Sequence, residues 1–199
     1  MILLKTIYTT FLLFFIVFES KAVTSFKIET PHDSVKKKYS YNLNYVDMRS
    51  THQNHFRGAN FMVSQKLKKN FSLGLGIEYA HSSFHGDNGY NLYNLTFIPV
   101  FLDVRYNFKT ESRKFQPYLT IEPGLSFAKY KRENQNTGNT RVRISERGLY
   151  VYVGTGVKYQ INKHLAPIVD FGFKGYKMSF NNLDINPHGI VLRAGLVIQ

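Results

Sequence analysis

The chain contains no cysteine. That excludes a disulfide framework, thiolate chemistry and any zinc site built on sulfur. Tryptophan is absent too. Acids are scarce: 13 Asp and Glu against 26 Lys and Arg give a net charge of +13 over 199 residues. So basic a chain invites comparison with nucleic-acid binders, but no RNA- or DNA-binding motif is present. Long apolar runs are missing after Ala22, which excludes a spanning helix there.

What is present begins with a leader. Met1 to Thr10 carries Lys5 and no acid, and Ile7 to Phe18 is apolar apart from Thr9 and Thr10. Ser20-Lys21-Ala22 then puts small residues at the two positions a signal peptidase reads. This is the layout of a secretory signal, with cleavage expected after Ala22. The apolar core is short for a permanent anchor, which needs about 20 residues. Residues 23–38 are expected to be a periplasmic segment and 39–199 a single domain. Loss of Lys5, Glu19 and Lys21 lowers the net charge by one. An exported chain meets little nucleic acid, so anionic lipid and lipopolysaccharide phosphate are the partners this charge suits.

The mature chain alternates between apolar and small or polar residues, the period of a strand. In the last segment, His188 to Gln199, Ile190, Leu192, Ala194, Leu196 and Ile198 share one face, and Val191, Arg193, Gly195, Val197 and Gln199 the other. The pattern recurs over Tyr39 to Tyr45, Ala59 to Leu67, Phe71 to Ala80, Leu92 to Phe108, Pro117 to Tyr130, Leu149 to Tyr159 and Leu165 to Lys177. Eight strands result, and no stretch shows a helical period. The connections around 68–70, 109–115 and 162–164 are short, whereas those near 47–58, 82–91, 131–147 and 178–188 are longer and polar. Antiparallel neighbours place alternate connections at opposite ends. The expected fold is therefore all-β, an eight-stranded antiparallel transmembrane barrel of the bacterial outer membrane, with long loops facing out.

A soluble secreted ligand-binding barrel is the competing architecture. The polar face argues against it, because it is built of small residues: Gly74, Gly76, Gly124, Gly154, Gly156, Gly172 and Gly195, with Ser72, Ser126 and Ala128. Small residues suit the crowded interior of an eight-stranded barrel, which its own side chains fill. Charges on the same face are mixed. Glu78, Asp103, Glu122 and Asp170 stand with Lys66, Arg105, Lys158, Lys174 and Arg193 as a candidate interior network, because unpaired buried charge is costly. Inward Tyr118, Tyr130, Tyr150 and Tyr152 would help fill the lumen, so an open pore is not expected. Tyr45, Tyr79, Tyr106, Phe108, Tyr118, Tyr159, Tyr176 and Phe180 lie toward strand ends, where aromatic rings settle at headgroup level.

With Phe71-Ser72-Leu73-Gly74-Leu75-Gly76, Val153-Gly154-Thr155-Gly156-Val157, the leader and the terminal strand, the chain resembles the small bacterial outer-membrane barrels of the OmpA-transmembrane-domain, OmpX-like group. The resemblance covers nearly the whole mature chain. It implies insertion by the barrel-assembly machinery and a structural, adhesive or surface-interaction role, with an extracellular ligand or host surface as partner. One departure is the ending Val197-Ile198-Gln199, where members of the group often carry an aromatic residue. A monomer without cofactor or metal is expected.

Three chemical readings compete. Some eight-stranded barrels are lipid A deacylases with a His-x-Ser-Asn motif and a downstream Glu. His81-Ser82-Ser83 resembles its start, with His81 and Ser83 on the lipid side, but Phe84 stands where Asn belongs and Glu78 points the other way. A metal at His81, His85 and Asp87, or at His52 and His55, lacks a ligand set of defined spacing. The basic segment Lys129, Lys131, Arg132, Arg141, Arg143 and Arg147 reads as an outer loop able to hold phosphates, diluted by Glu133 and Glu146.

Overall fold

A computed structural model describes residues 39–51, 54–67, 70–87, 90–110, 114–134, 141–178 and 186–199. The leader, residues 23–38 and Phe180 lie outside the described residues.

Eight strands form in sequence order: β1 (Tyr39–Ser50), β2 (His55–Lys66), β3 (Phe71–Asp87), β4 (Tyr90–Asn107), β5 (Phe115–Asn134), β6 (Val142–Tyr159), β7 (Leu165–Met178) and β8 (His188–Ile198). Each pairs antiparallel with its sequence neighbours, and β1 pairs with β8, for example Tyr41 with Ile198. The sheet thereby closes and no full-length edge strand remains. Closure removes the unpaired backbone groups that a membrane interior cannot hydrate.

The two faces separate as the alternation requires. Leu43, Leu75, Ile121, Leu125, Val153, Phe171 and Ile190 point outward and are exposed, while Met62, Phe97, Phe101, Tyr118, Tyr152 and Val191 point inward and are buried. The outward apolar run covers Phe71 to Tyr79 on β3, Ile98 to Tyr106 on β4 and Leu119 to Phe127 on β5. Each is nine residues long, close to the ~9–11 needed for a tilted strand to cross a bilayer. This apolar exterior overturns the soluble-barrel alternative, whose outside would be hydrophilic.

The strands overrun that span at the end away from Tyr39 and Ile198. β3, β4, β5 and β6 have 17, 18, 20 and 18 residues, against 12 for β1 and 11 for β8. Most of the segments 82–91 and 131–147, read from sequence as loops, is therefore paired strand: Asp87 pairs with Tyr90 and Arg132 with Val142. Asn, Gly and charge in these segments signal exposure to water, and beyond the membrane a strand can be exposed on both faces.

One aromatic placement also changes: Tyr176 is buried inside the barrel rather than set at headgroup level. Of the two placements read for Tyr118, inward and near a strand end, it takes the inward one. Both tyrosines lie in phase with inward residues, Tyr118 with Thr120 and Glu122, Tyr176 with Lys174. Tyr45, Tyr79, Phe108 and Tyr159 are exposed.

Candidate functional site

The interior is a salt-bridged plug. Arg193 on β8 is its hub: Nε donates to Asp170 Oδ1 at 2.7 Å and Nη1 to Glu122 at 2.9 Å. Its guanidinium also lies 3.8 Å from the ring centre of Tyr152. Elsewhere in the lumen, Lys174 Nζ donates to Glu78 Oε1 at 2.5 Å. Arg105 lies 3.4 Å from Asp103 and sits over the Tyr118 ring.

Among the described residues four acids, Glu78, Asp103, Glu122 and Asp170, are buried with three Lys and Arg side chains, Arg105, Lys174 and Arg193. Lys66 is exposed and Lys158 half-buried, and with Arg105 they line a cup of about 230 Å³ at the end of the barrel that carries Tyr39 and Gln199. Hydroxyls supply further donors. Tyr118 and Tyr152 donate to Asp170 at 2.9 and 2.6 Å, Tyr150 to Glu122 and Tyr176 to Glu78 at 3.3 Å, and Thr120 to Asp103 at 2.6 Å. Each buried carboxylate thus has a cation beside it and accepts from at least one hydroxyl, which offsets part of the cost of burying its charge. From sequence Tyr118, Tyr150 and Tyr152 read as filler, and Tyr176 as a headgroup aromatic. Their phase with the acidic face is visible there; their partners across the lumen are not.

Glycine makes room for the plug. A Cβ on Gly156 would come within 2.5 Å of the Asp170 Cβ and 2.7 Å of the Tyr118 ring. A Cβ on Gly154 would strike the Tyr152 hydroxyl. The hydroxyl ends of Tyr118 and Tyr152 therefore lie over strand positions that bear no side chain.

Outside the barrel, the basic segment resolves into two groups. Arg141 donates to Glu133 at 2.7 Å and stacks over Tyr93, and this carboxylate holds its guanidinium above the usual arginine value. Arg132 lies over Tyr90. Lys129, Lys131, Arg143 and Arg147 instead point outward from β5 and β6. Glu146 does not dilute them, because it points the other way and accepts from the Tyr130 hydroxyl at 3.0 Å. Nor is Glu133 available to them, since Arg141 occupies it.

His81 and Ser83 face outward as expected, with His81 Nδ1 3.2 Å from the Thr96 hydroxyl. Glu78 is engaged by Lys174 and Tyr176 inside the barrel. His85 is fully buried and contacts Asn54 at 2.7 Å. His81 and His85 therefore point to opposite faces and cannot share a metal, because the inward phase of β3 moves from even to odd numbers between Ser82 and His85. His55 lies 3.5 Å from Asp47, and His52 falls outside the described residues. Among the described residues no group of three His, Asp or Glu has a metal-binding arrangement.

A closed eight-stranded barrel with an apolar exterior, a filled lumen and strands that overrun the apolar belt at one end is an integral barrel of the bacterial outer membrane. Residues 22–197 match the family described as outer membrane protein beta-barrel domain, and the chain belongs to it. Among solved structures it is similar to a major outer membrane protein of Thermus thermophilus, at 13% identity and TM-score 0.56, covering 81% of this chain and 99% of that one. It is also similar to Neisserial surface protein A, at 13% identity and TM-score 0.50, covering 80% and 94%. Comparison with curated proteins finds no match.

Proposed function

We propose that this barrel is sealed and non-enzymatic, and that it works through its outer wall and projecting hairpins as a structural or surface-interaction protein. The plug carries this reading. Arg193, Glu122, Asp170, Lys174 and Glu78 are at most 1% exposed, and Phe97, Phe101, Tyr150 and Tyr152 fill the space around them. Eight strands leave room for side chains only, whereas water-filled porins need about 16–18. The inward engagement of Glu78 and the Thr96 contact of His81 favour a non-catalytic role for the His81–Ser83 pair, since a nucleophile needs a base oriented by a third group.

The projecting hairpins β3–β4 and β5–β6 are then the part that meets the surroundings, with Tyr39 and Gln199 at the periplasmic end. The absence of cysteine gives a clean test of this orientation. Ser145→Cys should react with a membrane-impermeant maleimide on intact cells, and Lys163→Cys only after the outer membrane is opened. Reversed labelling would overturn the orientation. In planar bilayers the pure protein should show no porin-sized conductance steps, and such steps would overturn the seal.

A further inference from the structure

We infer that the outer wall of β4–β6, centred on Lys129, Lys131 and Arg143, binds the phosphates of an outer-leaflet glycolipid of the lipid A type. The inference rests on the proposed orientation, which puts this end of the barrel in the outer leaflet.

Height is the first argument. On β5 the last outward apolar residue is Phe127, and Lys129 and Lys131 are the next two outward positions. On β6 the sequence outward from Leu149 is Arg147, Ser145, Arg143. The cations therefore begin directly at the border of the apolar belt, where phosphorylated headgroups lie, rather than at the tip of a loop.

Clustering is the second. Lys131 stands opposite Arg143 in the β5–β6 register, and Lys129 opposite Ser145. Like charges directly opposite on a sheet repel, and among the described residues no ion pair engages Lys129, Lys131, Arg143 or Arg147. The acids nearest in sequence are turned inward or occupied, as described above. A ligand that brings two or more negative charges would relieve this repulsion, and arginine and lysine together suit phosphate.

Shape is the third. Between Tyr93 and Thr96 the β4–β5 register slips by one residue, and Asn94 takes a φ of 53°. Asparagine is among the few residues that adopt this left-handed backbone. Beside the bulge lies a depression of about 450 Å³ lined by Asn94 and by residues 129–131 and 143–145, among them Lys129, Lys131 and Arg143. That volume is in the range of small-ligand sites, and acyl chains below it would lie along Phe127, Leu125 and Leu149.

The test uses the full barrel in phosphatidylcholine nanodiscs containing either bisphosphorylated lipid A or its dephosphorylated form. Lipid A is present in both leaflets, so the result does not depend on orientation, which the cysteine labelling above checks separately. Bound lipid A per barrel is measured by native mass spectrometry. The wild type should retain the bisphosphorylated lipid at least tenfold more than the dephosphorylated one, and the excess should shrink as salt rises. The triple variant Lys129→Gln, Lys131→Gln, Arg143→Gln should lose this excess, while Lys109→Gln with Lys163→Gln at the other end should keep it. Equal retention of the two lipids by the wild type overturns the inference whether or not the variants fold. So does an unchanged excess in a folded triple variant. Tighter binding of a soluble polyanion such as heparin would overturn the lipid assignment in favour of an extracellular ligand.

Discussion

Replacing Arg193 by Met should be among the most damaging single changes in this barrel. The substitution roughly conserves length and removes the charge. Asp170 would keep hydroxyl bonds from Tyr118 at 2.9 Å and Tyr152 at 2.6 Å. Glu122 would keep only the 3.3 Å contact with Tyr150. Each carboxylate loses a charge-assisted hydrogen bond worth about 1.5–3 kcal/mol, so the expected loss is about 3–5 kcal/mol, typical of a buried ion pair with one partner removed. Urea titration of the barrel folded into lipid vesicles, followed by heat-modifiable migration, measures it. The triple change Arg193→Met, Glu122→Gln, Asp170→Asn should recover most of the loss, because it removes the stranded charges and leaves the phenols a partner. A loss below about 1 kcal/mol for the single change, or no recovery in the triple, would refute the view that Arg193 neutralises both acids.

Leu75 is 63% exposed midway along the outward apolar run of β3, opposite Val63 and Leu102. Leu75→Arg should cost about 2–4 kcal/mol in a bilayer folding assay if it lies at the midplane, and a neutral result would contradict a lipid-facing wall. Gly154→Ala should cost about 1–3 kcal/mol through overpacking, because the new methyl displaces the Tyr152 hydroxyl from Asp170; adding Tyr152→Phe should not raise the cost by a full hydrogen bond if the two effects are shared. His81→Ala and Ser83→Ala should leave the lipid A acylation profile of expressing cells identical to that of wild type at matched protein level. An acylation shift produced by wild type and lost in both variants would instead assign a deacylase.

The alternation in Phe71 to Ala80 and in Leu149 to Tyr159 was legible from sequence, because a strand's facing is a local, two-residue property. It also gave the strand number and the apolar exterior. The extent of β5 and β6 was not legible: Lys131 to Asn134 and Val142 to Arg147 bear no apolar stripe, since strand above the membrane has water on both sides. The bulge at Asn94 was hidden too, because it shows only as a slip against β5.

Residue chemistry alone determined that Glu78, Glu122, Asp170, Lys174 and Arg193 would share the inside of a barrel, since parity along each strand settles which face a side chain takes. Closure of the sheet decided who pairs with whom. Arg193 reaches Glu122 across 71 positions and Lys174 reaches Glu78 across 96, distances over which no local pattern carries information. The tertiary structure likewise separated the bases of the segment 129–147 into an occupied pair with Glu133 and an unoccupied outward cluster. Parity foretold the inward turn of Glu146 only once β6 was known to begin at Val142, and that start is fixed by pairing with β5 rather than by the residues themselves.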